Sequence, residues 1–183
     1  ERCAKTDIYP WEQKICRVLI TTQAFDALAW LSESLIIDTV TAVTSRQNEV
    51  RFTIRRHPRE PYSAHKACLA RLRKQGYEIH ETTGTLLSNL ADSDLVVSRN
   101  STTLQSSILA GVPSIAYLAD LDPVNSQSFA YLTSHAIIKV SSRSDLQAQV
   151  KSFVQNPDLR NTMIAKFRLA RREHLLNVER PGA

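Results

Sequence analysis

Glycine is scarce, with four in 183 residues. None of them builds a G-x-G-x-x-G after the first apolar run, which argues against a nicotinamide or flavin dinucleotide. There is no G-x-x-x-x-G-K-[ST], so the chain is not a P-loop nucleotide hydrolase, and no G-x-S-x-G elbow marks a serine hydrolase. No stretch approaches the roughly 18 consecutive apolar residues that a membrane helix needs. The opening residues are polar and charged, without the apolar core of a signal peptide. Cysteine is sparse and irregular: Cys3, Cys16 and Cys68 form neither C-x-x-C nor a zinc spacing. The five histidines share no ligand spacing, so no metal is expected. Methionine occurs once, as Met163, and the chain opens at Glu1. That start is expected of a piece of a longer protein, with a trimmed head or tag as the plain alternative.

What is present is the composition of an ordinary globular domain, 43% apolar and 22% charged. The length suits one domain with a real core. Residues 1–14, around Tyr9-Pro10-Trp11, read as a linker or N-terminal extension, and residues 15–183 as the domain. The net charge of +5 suits a phosphate-bearing partner without naming one. The basic residues are spread and lack interleaved aromatics, so nucleic acid is not expected. One local cluster, Lys166, Arg168, Arg171 and Arg172, reads as a solvated helix face. Cys68 falls on an apolar helix face and reads as a small core residue. The reducing setting this implies is cytoplasmic, at most peripheral to an inner membrane.

Apolar periodicity alternates between two kinds of segment. Arg17–Thr22, Val50–Arg55, Tyr77–His80, Asp94–Ser98, Pro113–Leu118 and Ala136–Val140 are short, apolar and rich in β-branched residues, which predicts strands. Between and after them, helical spacing predicts helices over Phe25–Arg46, Pro61–Gln75, Thr85–Ala91, Ser101–Ala110, Asn125–Ser134, Ser144–Gln155 and Asp158–Leu175. Pro61 suits a first helical turn, and Gly76 and Gly111 suit helix ends. Six strands, each followed by a helix, predict an α/β, doubly wound, Rossmann-like fold. The sheet is six-stranded and mainly parallel, in order 3-2-1-4-5-6, with helices on both faces.

Such sheets bind ligands beyond the carboxyl ends of their strands, near the point where strand order reverses. The loops at that edge hold Thr22-Gln23, then Arg55-Arg56-His57-Pro58-Arg59-Glu60, then Thr82-Thr83, then Ser98 through Thr103, then Asp120-Leu121-Asp122. Hydroxyls, cations and free helix N–H groups suit a phosphate ester. In the fourth loop, Asn100 or Ser101 caps the next helix. Capping needs one polar residue, and five stand in a row from Arg99 to Thr103, so a ligand is expected there. His57 before a proline is equally consistent with a surface turn, and the neighbouring arginines with solvated side chains.

The segment DLVVSRNSTTLQSSILAGVPSI, from Asp94, resembles the donor-binding half of GT-B glycosyltransferases. There, a strand ending in Ser or Gly leads into a Ser/Thr-rich helix start and then a G-x-P. Ser98, Ser101-Thr102-Thr103 and Gly111-Val112-Pro113 occupy those places. His57-Pro58 is similar to the HP motif of bacterial sialyltransferases and of capsule and teichoic-acid polymerases. The resemblance implies a nucleotide-activated sugar as substrate, no separate cofactor, and a role in polysaccharide or glycoconjugate synthesis. It implies His57 as the catalytic residue. It also implies a donor site from Thr22, Gln23, Pro58, Arg59, Thr82, Thr83, Ser98, Asn100, Ser101, Thr102 and Thr103. An N-terminal acceptor domain, in the same or another chain, is implied to supply the general base. Ser106 stands where many such enzymes carry a ribose-binding carboxylate, and the first loop lacks glycine. Half of a nucleotide-sugar epimerase, or a non-catalytic module of the same fold, are the alternatives. A receiver-type domain is discounted because no acidic cluster follows the first strand.

Overall fold

The computed structural model describes residues 15–23, 29–43, 49–99, 101–119 and 137–179. Six strands are present: β1 (Cys16–Thr21), β2 (Val50–Arg55), β3 (Glu78–Glu81), β4 (Leu95–Ser98), β5 (Ser114–Tyr117) and β6 (Ile138–Val140). They form one parallel sheet in the order β3-β2-β1-β4-β5-β6. The expected doubly wound α/β architecture and its strand order are both found.

Among the described residues, six helices flank the sheet: α1 (Ala29–Val40), α2 (Lys66–Lys74), α3 (Leu86–Ala91), α4 (Thr102–Ala110), α5 (Arg143–Gln155) and α6 (Pro157–Glu179). Side chains alternate across a strand, so each strand feeds two cores. Val18 and Ile20 of β1 join Phe52, Val97 and Ile115 under residues of α1, α2 and α5. On the other face, Leu19 packs with Leu90 and Val96, while Ala116 packs with Leu104 and Phe167. Burial on both faces explains why Val18–Ile20 is a continuous apolar run. Cys68 is buried beside Leu69 and Leu72. Cys16 is also buried, and burial pushes its thiol up to about 12.

Several boundaries differ from the sequence reading. Of the expected helix Phe25–Arg46, residues 29–43 are described: α1 covers Ala29–Val40, and Thr41–Val43 continue as a 3-10 turn. The second helix begins at Lys66, not Pro61. His65 sits in the left-handed region at φ 65°, which breaks any helix running through it. Pro61–Ala64 form turns instead, with Ala64 N–H donating to the Pro61 carbonyl. The last helix runs further than expected, to Glu179. The expected helix over Asn125–Ser134, the Asp120-Leu121-Asp122 loop, the expected extension 1–14 and Asn100 all lie outside the described residues. Among the described residues, no helix is long and apolar enough to cross a membrane.

Two local features fix the ends of α4. Ser101 caps α4, its Oγ accepting from Thr103 N–H at 3.2 Å, so the helix starts at the end of β4. Gly111 closes the same helix at φ 70°, a conformation that strains any residue with a Cβ. The chain then returns into β5 through Val112 and Pro113.

Candidate functional site

A cleft of about 400 Å³ opens at the carboxyl ends of β1 and β2 and the start of α4. Its lining brings together Thr22 and Gln23 from the first loop, His57, Pro58 and Arg59 from the second, and Ser101, Thr102 and Thr103 from the fourth. Thr21, Arg55, Arg56 and Leu86 complete it. These loops are distant in sequence. They meet because β1 lies between β2 and β4, where strand order reverses.

The other described candidates, Ser98, Thr82 and Thr83, are not in this lining. Ser98 is fully buried and accepts a hydrogen bond from Thr21 Oγ1 at 2.7 Å, so it sits beneath the cleft. Thr82 Oγ1 donates to Asn89 Oδ1 at 3.0 Å and accepts from Gly84 N–H at 3.1 Å, which orders the β3–α3 turn. Neither Thr82 nor Thr83 is in the cleft lining. Arg99, part of the polar row in the fourth loop, points inward and is 1% exposed. Its guanidinium donates to the Leu31 carbonyl at 3.1 Å, the Ala119 carbonyl at 2.6 Å and Ser34 Oγ at 3.0 Å.

The polar groups of the cleft are not equally available. Ser101 is engaged in capping and also donates to Thr103 Oγ1 at 3.1 Å. Thr102 is exposed and has no side-chain hydrogen bond among the described residues. Its position on the first turn of α4 lets the hydroxyl and the positive end of the helix act on one anion. Arg55 donates to the Gly84 carbonyl. Arg56 pairs with Glu81 at 3.4 Å, donates to the Pro61 carbonyl at 3.0 Å and lies over the Tyr62 ring. Arg59 is the exposed guanidinium of this loop without an ion pair among the described residues. His57 Nδ1 accepts from Arg59 N–H at 3.1 Å. The neutral ring therefore carries its proton on Nε2, which is then a donor.

Behind this wall sits a pair that the sequence reading did not single out. Glu60 Oε2 accepts from His57 N–H at 2.8 Å and from the Thr22 hydroxyl, and its Oε1 lies 3.1 Å from His65 Nε2. Thr22 Oγ1 in turn accepts from His57 N–H at 3.2 Å. The Glu60 and His65 side chains are 7% and 2% exposed. Burial opposes ionisation of Glu60. Hydrogen bonds from His65, Thr22 and the His57 amide outweigh it and hold the carboxyl below its ordinary value. The bond to Glu60 raises His65 above its ordinary value against the effect of burial, with Glu33 contributing. Glu33 Oε1 stands 3.7 Å from His65 Nδ1. A left-handed non-glycine residue costs roughly 1–2 kcal/mol, and here it aims a buried imidazole at Glu60. One sequence signal pointed this way. Glu60 stands three residues after His57, the spacing at which a glutamate reaches back to a backbone N–H.

Among the described residues, no group of three or more His, Cys, Asp and Glu is placed to hold a metal. The cleft offers instead a threonine hydroxyl, a helix N-terminus, an imidazole N–H and an exposed guanidinium. Those are donors matched to phosphate oxygens.

No protein-family model matches the sequence, and no curated protein sequence matches it. Solved structures do. WaaG, a glycosyltransferase involved in lipopolysaccharide biosynthesis, is 14% identical with a TM-score of 0.62, over 93% of this chain and 48% of that one. The UDP-GlcNAc 2-epimerase from Neisseria meningitidis bound to UDP-GlcNAc is 12% identical with a TM-score of 0.60, over 90% and 44%. The spinosyn rhamnosyltransferase SpnG complexed with thymidine diphosphate is 18% identical with a TM-score of 0.56, over 89% and 42%. The chain spans less than half the length of each. At these identities the likeness shows the fold alone, a Rossmann-like domain shared with part of each of these proteins.

Proposed function

We propose that this chain is the nucleotide-sugar-binding half of a GT-B glycosyltransferase acting in polysaccharide or glycoconjugate synthesis. The observation that carries the reading is the convergence of Thr102, His57 and Arg59 in one cleft at the strand-order reversal. Three solved structures of the same fold add support. Two are named as glycosyltransferases, one of them complexed with thymidine diphosphate, and the third is an epimerase bound to UDP-GlcNAc.

In this reading the donor's phosphates sit over the first turn of α4, where Thr102, Thr103 and the free amides donate to them. His57 Nε2 and Arg59 face the phosphate that becomes the leaving group and stabilise its charge as the glycosidic bond breaks. Gln23 and Pro58 shape the rim, and Thr22 and Ser101 hold the two loops. Asn100 is retained as a candidate donor-site residue. A carboxylate of a second domain activates the acceptor hydroxyl. An epimerase half is the second reading, favoured by the neisserial structure, and it differs in needing no acceptor.

Calorimetric titration with CMP, CDP, UDP, GDP, TDP and their sugar esters tests the binding step. One nucleotide is expected to bind selectively. Loss of one bond to a charged group, about 1.5–3 kcal/mol, corresponds to at least tenfold weaker binding in His57→Ala and Thr102→Ala. Equal affinity of wild type and both variants would remove the cleft as the donor site.

A further inference from the structure

A second cavity lies at the opposite end of the sheet, between α3, α4 and α6, and it shares no residue with the cleft. Its volume is about 240 Å³. The walls are Leu87, Leu90, Leu109, Val112 and Ile164, with Ala91 and Ala110 leaving the space that larger side chains would fill. An apolar cavity of about 150 Å³ is enough to take up benzene, so this one has room for a stretch of hydrocarbon chain. Leu87 and Leu109 at its mouth are 71% and 39% exposed, and Leu169 on the outer side of α6 is 58% exposed.

The rim carries charge of one sign. Arg168 and Arg171 line the cavity, and among the described residues neither makes a hydrogen bond or ion pair. Arg172 lies one turn beyond Arg168 on the same helix. Arg171 also runs its stem close to Gly111, at the carboxyl end of α4. Asp94, the acidic residue of the lining, is committed to Arg17, from which it accepts at 2.9 and 3.1 Å. Arg160 is a third cation of the lining and donates to the Phe153 and Val154 carbonyls.

We infer that this cavity binds an anionic amphiphile, with the hydrocarbon chain between α3, α4 and α6 and a phosphate or carboxylate head on Arg168 and Arg171. Unpaired guanidinium groups beside an apolar cavity match that combination, because burial of a chain and charge-assisted bonds to the head act together. A neutral apolar ligand leaves the arginines unused, and an inorganic anion leaves the cavity unused. The assignment does not depend on the nucleotide cleft.

The test titrates dodecyl phosphate, below its micelle concentration, into the whole chain by calorimetry, with dodecanol and inorganic phosphate as partial ligands. Saturable binding of dodecyl phosphate is expected, tighter than either partial ligand. Arg168→Ala with Arg171→Ala is expected to weaken it at least about tenfold, as loss of one bond to a charged head implies. Ala91→Leu, which fills the cavity and keeps the charge, is expected to weaken it as well. Lys151→Ala on α5 is the control, and circular dichroism verifies that each variant is folded. Co-sedimentation with phosphatidylglycerol vesicles but not phosphatidylcholine, lost in the same variants, identifies a bilayer as the source of the head group. Binding of monomers without vesicles identifies a free amphiphile. Absence of saturable binding, or affinity unchanged in both variants, overturns the site. Self-association of the chain abolished by the arginine change would assign the surface to a second copy and overturn it too.

Discussion

Removing the Glu60 carboxylate is expected to be the most damaging single change near the cleft. Glu60→Ala leaves three groups without their acceptor: the His57 amide, the Thr22 hydroxyl and the His65 imidazole. Breaking a buried charge pair by deleting one partner costs about 3–5 kcal/mol. The low end, about 3 kcal/mol, applies here because the half-exposed Glu33 approaches the other ring nitrogen of His65. For a domain of this size that is a fall of roughly 6–12 °C in melting temperature. Glu60→Gln keeps an acceptor for His57 N–H and should lose less. The pH dependence carries the sharper signature. His65 is raised from 6.5, so its contribution is complete below that value and is lost as pH rises through the folded value. Glu60 is lowered from 4.5, so its contribution is complete above that value and is lost as pH falls through the folded one. The stability gap between wild type and Glu60→Gln should therefore be widest between pH 4.5 and 6.5. Urea unfolding of both proteins from pH 4 to 9 measures it. A gap that is constant with pH, or that widens from pH 6.5 to 9, would refute the pairing.

Two further predictions concern the frame beneath the site. Ser98→Ala should cost about 1–3 kcal/mol by stranding the Thr21 hydroxyl, and adding Thr21→Val should recover much of it, since both polar partners are then gone. A double-mutant cycle in urea that shows simple additivity would contradict the bond. Gly111→Ala should cost roughly 1–2 kcal/mol in unfolding free energy. The cause is the left-handed backbone and not crowding, because the nearest side-chain atom would stand 3.7 Å from the new Cβ. Gly111→Asn should cost less than Gly111→Ala, and a larger loss would point to a steric cause instead.

The sheet was legible because burial on both faces leaves a plain trace. Val18–Ile20, Leu95–Val97 and Ile115–Tyr117 are apolar without alternation, and their shortness and flanking turn residues favour a strand covered on both sides over a buried helix. The loops of the cleft followed from the strand order. The roles within them did not, because each is decided by a partner remote in sequence. Thr22 reads as a ligand donor until Glu60 is seen to hold its proton. Arg55, Arg56 and Arg59 read alike until Gly84 and Glu81 engage the first two. Ser98 reads as the end of a motif, yet its hydroxyl serves Thr21. The start of α2 was misplaced for a related reason. Pro61 is a sound helix opener, and the left-handed turn at His65 is dictated by a side-chain bond that no local pattern announces.

Arg99 turns away from the cleft into the interior, and its reach has a mechanical consequence. From the end of β4 it grips two points in the first two turns of α1 and one just past β5. Arg99 thus ties α1 and the end of β5 to β4, beside the Arg17–Asp94 and Arg143–Asp38 pairs, and prising these elements apart would bring its guanidinium and three oxygens out of their shared enclosure. Amide protons of β1 and β5 should then exchange in step, as one cooperative unit rather than two. Under the proposed function, the floor beneath a nucleotide sugar would move as one rigid plate.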